Sequence, residues 1–294
     1  MLLSLPKFEY VSCNTIEEAC ALLSSHQGKA QVMAGGTDLL VKMKHRKVLP
    51  DCLINIKRIP QIDYIRYDAL KEVRIGTLAT IQTLRNSPVI MKNFSILNQA
   101  AKVLGTTHVR NLATLGGNLC NASPASECAG PLLALSATVK IMGPQGERRV
   151  PVEEFFVQPG KSVLKHDEIL TEIQIPKPPP HSGGVHLKYS TRRVDVCIVS
   201  ASVLLTLDGP KCQDVRISLG AVGPIPFRAK KAENILKGQP LVGDAESVIA
   251  KAAQAASDES FPIDDFRGAA DFRKELVKRL VAEGIQGAIA NARL

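Results

Sequence analysis

Two glycine pairs, each preceded by apolar residues and followed by small polar ones, are the parts of the sequence best suited to chemistry. They lie in residues 31–40 and 111–131. Glycine lets a backbone approach a ligand closely, and successive free N–H groups form a concavity that binds anions. A loop that leads into a helix also favours phosphate. Two such loops can close on the two ends of one diphosphate, although either pair taken alone is more typical of a tight turn.

The residues around the glycine pairs limit the kind of site. Neither pair matches G-x-G-x-x-G or G-x-x-x-x-G-K-[ST], so the sequence argues against a Rossmann or P-loop site. A helix is predicted to start at Thr37 or Asp38. A second start is predicted at residues 123–127, capped by Ser123 or Ser126 and followed by the apolar residues of segment 132–135. The spacing predicts a diphosphate ligand, with a dinucleotide as one option.

The two loops resemble those of a known family. Residues 34–38, Ala-Gly-Gly-Thr-Asp, are similar to the first FAD loop of the flavoprotein subunits of molybdenum hydroxylases. These are the medium subunits of carbon monoxide dehydrogenase and xanthine dehydrogenase type. Residues 110–118 resemble the second loop, and residues 122–127 follow at the family's spacing. The resemblance spans essentially the whole chain, with one departure: some relatives carry Asp where Glu127 stands.

The resemblance implies an α+β fold. Two α/β subdomains form a PCMH-type FAD-binding fold, and a three-stranded antiparallel sheet with helices completes the chain. The expected boundaries are residues 1–50, 51–176 and 177–294. The prolines at 178–180 mark the last boundary, because three in a row cannot continue a helix or a central strand.

Local patterns predict the elements of these units. A capping box at Thr15 predicts a helix to about residue 23, and Thr80 is predicted to start another. Further helices are predicted at 95–103, 229–236, 246–256 and 269–290. Strands are predicted at 52–56, 73–76, 139–142, 149–150, 169–175, 185–190, 196–207 and 215–222, with a turn at 208–209.

Flavin binding needs donors for the diphosphate, acceptors for ribose and a wall for the ring. Thr37 and Thr114 can supply hydroxyls, and Asn118 can both donate and accept. Glu127 or Asp38 can accept from a ribose hydroxyl, although Asp38 is equally explained as a first-turn helix residue. The predicted backbone donors are those of Gly35, Gly36, Thr37, Gly116 and Gly117.

Two further positions come from the resemblance. Leu170 and Lys188 fall where relatives place residues beside the flavin ring. Taken alone, they are typical of a core leucine and a surface lysine. A cation near the ring would stabilise anionic reduced flavin by roughly 1–3 kcal/mol. Tyr189 can stack on the ring or pack within the sheet. The complete predicted cofactor-binding set is Met33, Ala34, Gly35, Gly36, Thr37, Asp38, Leu39, Thr114, Gly116, Gly117, Asn118, Asn121, Ser123, Glu127, Leu170, Lys188 and Tyr189.

Composition narrows the classes of partner. The net charge is +9, but aromatic residues make up only 4% and Trp is absent, which argues against nucleic-acid binding. The excess charge favours an anionic cofactor or an acidic partner subunit, with an ordinary solvated face as the alternative. The seven cysteines form no C-x-x-C or other metal-binding spacing. Isolated thiols, no signal peptide and no apolar segment long enough to span a membrane predict a cytoplasmic protein.

The resemblance implies an FAD-dependent oxidoreductase subunit with no catalytic residue or metal ligand of its own. A large molybdopterin subunit and a small [2Fe–2S] subunit would be its partners, as a dimer of heterotrimers. Electrons would pass from the iron–sulfur subunit through FAD to NAD, a quinone or another acceptor. Two alternatives stay open: a self-sufficient FAD oxidoreductase of the same fold, and a non-enzymatic nucleotide-binding assembly module.

Overall fold

The computed structural model of the chain describes residues 4–192, 194–241, 243 and 245–293. In chain order the elements are β1 (Glu9–Ser12), α1 (Ile16–Ser25), β2 (Ala30–Met33), α2 (Leu39–Lys44), β3 (Cys52–Asn55), β4 (Ile65–Asp68), β5 (Glu72–Gly76), α3 (Ile81–Asn86), α4 (Pro88–Asn93), α5 (Ser95–Val103), α6 (Thr107–Leu112), α7 (Leu115–Cys120), α8 (Ala129–Ala134), β6 (Thr138–Gly143), β7 (Gly146–Pro151), α9 (Val152–Phe155), β8 (Phe156–Gln158), β9 (Lys161–Ser162), β10 (Ile169–Pro176), β11 (Ser182–Tyr189), β12 (Val199–Asp208), β13 (Lys211–Gly220), β14 (Phe227–Arg228), α10 (Lys230–Leu236), α11 (Glu246–Asp258) and α12 (Ala270–Ala292).

The first sheet is parallel, with β3 between β1 and β2. Helix α1 connects β1 to β2 and packs its buried face against this sheet. The predicted capping box is present in modified form: Thr15 Oγ1 accepts from the Glu18 N–H, and Glu18 accepts from the Asn14 N–H. The sequence prediction placed the strand at 52–56 in the second unit. The structure corrects this, because β3 is the central strand of the first sheet.

The second sheet has five antiparallel strands in the order β4-β5-β10-β6-β7. Its core combines side chains of the sheet, such as Ile75 and Ile173, with Phe94 and Leu132 from the helices that cover it. The predicted hairpin at 139–150 and the predicted helix at 95–103 are confirmed.

The helix predicted to start within residues 123–127 begins later. This segment is a series of turns, and helix α8 starts at Ala129. Ser123 Oγ accepts from the nearby Ala125 N–H, and Ser126 Oγ donates to Asn118 Oδ1, so neither hydroxyl caps a helix. The predicted cap is therefore wrong, because both serines are used to fold the loop itself.

The third sheet is antiparallel, in the order β11-β12-β13-β14. The three predicted strands are present, and the two residues Phe227–Arg228 add a short fourth strand. Helix α12 lies across β11 and β12 so closely that a Cβ at Gly183 would sit 2.1 Å from the Ala288 carbonyl oxygen. The other side of the sheet meets α8, where Ser218 Oγ donates to the Gly130 carbonyl at 2.6 Å. The last sheet is thus joined to the second unit.

Across the part of the chain that is described, none of the helices combines the length and the apolar character needed to cross a bilayer.

Candidate functional site

A cleft of about 680 Å³ lies where the three units meet. Its walls are the loop after β2, the turn between α6 and α7, residues 118–127, the start of β10 and the segment 194–196. The volume is in the range of ligand and cofactor pockets. Of the predicted set, the cleft is lined by Ala34, Gly35, Gly36, Thr37, Asp38, Leu39, Thr114, Gly116, Gly117, Asn118, Asn121, Ser123, Glu127 and Leu170.

The first loop follows the carboxyl end of β2. Gly36 has φ +71°, a conformation that favours glycine. A Cβ at Gly35 would lie 2.0 Å from the Leu112 carbonyl oxygen, so this loop rests directly on the backbone that leads to α7. Within the described residues, the N–H groups of Gly35, Gly36 and Thr37 have no hydrogen-bond acceptor. The first loop therefore presents three unengaged amides beside the cleft.

The second glycine pair lies in the first turn of α7. The hydroxyl of its N-cap Thr114 accepts from the Gly117 N–H at 3.0 Å, and the Gly116 N–H donates to the Thr77 carbonyl at 3.1 Å. A Cβ at Gly116 would lie 1.9 Å from Thr77 Oγ1. These groups were predicted to bind a diphosphate, and the structure corrects that role. The N–H groups of Gly116 and Gly117 donate to other protein atoms, and the Thr114 hydroxyl accepts from Gly117. The glycines permit close packing of protein on protein.

Asn118 is fixed by the loop that follows α7. Its Oδ1 accepts from Ser126 Oγ at 2.7 Å and from the Cys128 N–H at 3.3 Å. These two bonds orient the amide, and within the described residues its Nδ2 group has no partner. Asn118 therefore lines the cleft as an oriented donor.

Glu127 contributes a carboxylate to the wall of the cleft. It is 7% exposed, and its Oε1 lies 2.7 Å from Lys188 Nζ. Its Oε2 is buried without a hydrogen-bond partner. Burial raises the pKa of Glu127 from its ordinary value, and the Lys188 charge partly opposes this. One oxygen is thus a buried acceptor that no group of the described residues satisfies.

Lys188 lies behind Glu127, outside the lining of the cleft. Its side chain is only 4% exposed. The ammonium group donates to the Val103 carbonyl at 3.2 Å and to the Asp195 carbonyl at 2.8 Å, besides pairing with Glu127. Three acceptors match the three donors of an ammonium group. Lys188 is therefore a buried anchor that orients Glu127.

His186 completes this buried cluster and was missed from the sequence. Its Nδ1 lies 2.8 Å from Ser202 Oγ, and its Nε2 is unpartnered, 4.0 Å from Glu127 Oε2. Burial and the Lys188 charge lower the pKa of His186 to about 4. The ring is therefore uncharged at neutral pH, and the 4.0 Å contact is no salt bridge. The available signal was the two-residue spacing of His186 and Lys188, which places both on one face of β11.

Two predicted residues lie elsewhere. Met33 packs with Met43 and Leu53 beneath the first loop. Tyr189 meets Phe272 edge-on, with ring centroids 5.8 Å apart, because it faces the opposite side of the strand from Lys188. The structure therefore brings neither side chain into the cleft, and the predicted stacking of Tyr189 is replaced by packing against α12.

Asp38 and Leu170 lie in the cleft wall, as predicted. Asp38 makes no capping hydrogen bond at the start of α2. Burial raises the pKa of Asp38, and Lys42 opposes this shift. Leu170 is 2% exposed and supplies apolar surface from β10.

Arg110 belongs to the second motif but was not among the predicted site residues. Its Nη1 donates to the carbonyls of Leu104 and Gly105, at 2.9 and 2.6 Å, and its Nε donates to Gln82. Leu104 and Gly105 line the cleft. The buried guanidinium therefore holds the turn before α6 in place.

Two protein-family models match this chain. Residues 6–178 match the family model described as the FAD binding domain in molybdopterin dehydrogenase. Residues 186–288 match the model of the CO dehydrogenase flavoprotein C-terminal domain.

Individual relatives match over almost the full length. The 6-hydroxypseudooxynicotine dehydrogenase complex subunit alpha of Paenarthrobacter nicotinovorans is 33% identical, over 98% of this chain and 96% of that protein. The carbon monoxide dehydrogenase medium chain of Hydrogenophaga pseudoflava is 30% identical, over 97% and 98%. A solved structure of carbon monoxide dehydrogenase from H. pseudoflava superposes with a TM-score of 0.94, covering 98% of this chain and 99% of the matched one, at 30% identity. The structure of quinoline 2-oxidoreductase from Pseudomonas putida gives 0.92 at 28% identity, covering 99% and 100%.

Proposed function

This chain belongs to the FAD-binding subunits of the molybdenum hydroxylases, the xanthine and carbon monoxide dehydrogenase type, and we propose that it is the electron-transfer subunit of such an enzyme. It takes electrons from a [2Fe–2S] subunit and passes them to an external acceptor, NAD or a quinone. FAD supplies this electron-transfer chemistry when bound. Relatives named as medium chains and complex subunits support the multi-subunit arrangement.

One observation carries the proposal. The three unengaged amides of Gly35, Gly36 and Thr37 and the free Oε2 of Glu127 border the same cleft. Amides at a loop of positive φ suit a diphosphate, whereas a buried carboxylate oxygen suits a hydroxyl. The residues therefore fit FAD, with the first loop binding the diphosphate, Glu127 and Asn118 orienting hydroxyl and polar groups, and Leu170 excluding water.

The partners follow from the family. We propose a large molybdopterin subunit and a small [2Fe–2S] subunit, assembled as a dimer of heterotrimers in the cytoplasm. In that arrangement substrate oxidation takes place on the large subunit. The self-sufficient flavoenzyme and the non-enzymatic nucleotide-binding module remain the alternatives against which the proposal is tested.

Titration of the purified apo-chain with FAD, followed by flavin fluorescence, tests the binding site. We expect one FAD per chain. Thr37→Val should weaken binding by about tenfold or more, because it removes one hydroxyl donor to a charged group. Thr138→Val is the matched control, since Thr138 starts β6 and does not line the cleft. Equal affinity in the Thr37 variant and the wild type would remove the Thr37 hydroxyl from the site, whereas failure of the wild-type chain to bind FAD would remove the diphosphate assignment.

A further inference from the structure

A second cluster of chemically reactive side chains lies at the other end of the first sheet. Glu9 and Cys52 begin β1 and β3 and are register partners, so their side chains share a face. Helix α1 packs on that face and runs back toward the amino ends of the strands, where it ends at His26. The parallel topology therefore brings three distant segments together at this end of the sheet.

The ligand atoms of these residues converge. A carboxylate oxygen of Glu9, an imidazole nitrogen of His26 and Cys52 Sγ all lie within 4.8 Å of one another. Among the described residues, the carboxylate, His26 Nε2 and the thiol have neither a hydrogen bond nor a salt bridge. The chain thus holds three potential ligands together without using them on each other.

The imidazole is already oriented by the helix end. His26 Nδ1 lies 2.8 Å from the Leu22 carbonyl oxygen, which can only accept. Nδ1 must therefore carry the hydrogen, and in the neutral ring this leaves the lone pair on Nε2. A histidine that donates one ring N–H to a backbone carbonyl while offering the other nitrogen is the usual arrangement around a bound metal.

We propose that Glu9, His26 and Cys52 bind zinc through three protein ligands, with the fourth position open to water. Sulfur, imidazole and carboxylate are all zinc ligands, and a softer set than oxygen alone disfavours Mg²⁺ and Ca²⁺. In tetrahedral zinc sites the metal–ligand distances of 2.0–2.3 Å place the ligand atoms about 3.5 Å apart. Side-chain movements of about 1 Å would therefore bring the three ligand atoms to these distances.

The location suggests what the ion does. Glu9 is exposed and His26 is half-buried, which gives access from solvent, whereas Cys52 is buried in the central strand. A bound ion would tie β1, the end of α1 and β3 together. Because an ion that binds only the folded state stabilises it, zinc should strengthen the unit that carries the first cofactor loop.

The test uses the full chain with its own cofactor, stripped of metal by a chelator. Zinc binding is measured by competition with a chromophoric chelator, and stoichiometry by elemental analysis. We expect one zinc per chain and a rise of the melting midpoint of about 5 °C at saturating zinc. Cobalt should add a thiolate-to-metal absorption band. His26→Gln and Cys52→Ala should each weaken binding more than tenfold.

Two controls separate the site from general effects. His45→Gln alters a histidine at the C-cap of α2, and Cys20→Ala alters another cysteine of the same core cluster. Both should bind zinc as the wild type does. If Cys52→Ala does not fold, the zinc affinity of His26→Gln and the cobalt absorption band of the wild type still test the site. No saturable binding up to about 100 µM zinc, or wild-type affinity in His26→Gln, would overturn the proposal.

Discussion

The two oxygens of Glu127 have different surroundings, and this difference is central to the cleft. One oxygen is bonded to Lys188, and the other is buried without a partner. The lysine in turn has all its donors occupied, so it cannot also reach a ligand without breaking one of these bonds. At this scale Lys188 affects the cleft through Glu127, because Lys188 itself does not line the cleft.

Removing the lysine should leave a buried carboxylate unpaired. We expect Lys188→Met to lower the free energy of unfolding by about 3–5 kcal/mol, measured by urea denaturation. The double variant Lys188→Met/Glu127→Gln should recover part of this loss, because no charge is then buried. Lys177→Met is the control: that lysine donates to the Ala69 carbonyl on the exposed surface. Equal stability of Lys188→Met and Lys177→Met would contradict the buried pair.

His186 should make stability depend on pH. Its pKa in the folded chain is about 4, below the ordinary value of 6.5, so the unfolded chain binds more protons between these values. The contribution of neutral His186 to the free energy of unfolding is fully present above pH 6.5. It is lost as the pH falls toward 4, because the unfolded chain then takes up a proton that the folded chain does not. With 1.36 kcal/mol per pKa unit, the loss is about 3 kcal/mol. The raised pKa of Glu127 acts in the opposite direction.

Urea midpoints at pH 7 and pH 4.5 measure this effect. The difference between the two midpoints should be smaller in His186→Gln than in the wild type, since glutamine does not titrate. Gln31→Asn alters a residue of the cleft wall that does not titrate and should leave the difference unchanged. If the midpoints of His186→Gln change with pH as much as those of the wild type, titration of His186 is not the cause of the pH dependence.

At the scale of elements, the helices and strands with a clear capping motif or hydrophobic period were predicted from the sequence. The capped helix α1, the helix at 95–103 and the alternating strand β10 are examples, because capping, period and length are local properties. Helix α7 was missed because two glycines weaken its propensity. Its stability depends on the distant Thr77 carbonyl, which no local pattern contains.

The contact between the two glycine loops gives the next prediction. Gly35→Ala places a Cβ 2.0 Å from the Leu112 carbonyl oxygen, and both atoms belong to main chains that cannot simply rotate away. The loops must separate, so we expect FAD affinity to fall at least tenfold and the melting midpoint to drop by several degrees. Both are measured on the purified variant.

Gly146→Ala serves as the comparison. Gly146 has φ +98°, and a Cβ there would meet nothing within 4 Å. This variant should lose about 1 kcal/mol from backbone strain alone and retain FAD. If Gly35→Ala keeps the FAD affinity of Gly146→Ala, the contact between the loops is not needed for binding.

For the molecule as a whole, the sequence predicted a site at the first loop and Glu127, and the structure places both in the wall of one cleft, whereas their surroundings were not predicted. The free amides of the first loop follow from a motif of adjacent residues. The placement of Tyr189 and Lys188 depends on which face of β11 meets the second unit, and the partners of Lys188 lie in segments far from it in sequence. Strand β3 is central because it pairs with a strand on each side. An apolar run in the sequence predicts a buried strand but does not specify its neighbours.

The subunit assignment predicts the activity of the isolated chain. With FAD alone it should pass electrons from NADH to an artificial dye, and it should not oxidise purine, aldehyde, aromatic or CO substrates. Activity assays and iron and molybdenum analysis of the same sample measure this. Adding the partner subunits should restore substrate oxidation. Stoichiometric iron or molybdenum, or substrate turnover by the chain alone, would favour the self-sufficient flavoenzyme instead.

The prolines at 178–180 separate the two matched regions of the chain, yet the bonds of Lys188 cross that boundary. Lys188 lies on β11, whereas two of its three acceptors, Glu127 and the Val103 carbonyl, lie before the prolines. The two regions are therefore not interchangeable modules. A gene cut at the prolines would yield a fragment with both glycine loops but without the cation that balances its buried carboxylate. Exchange of C-terminal regions between relatives should succeed only where that pair is kept.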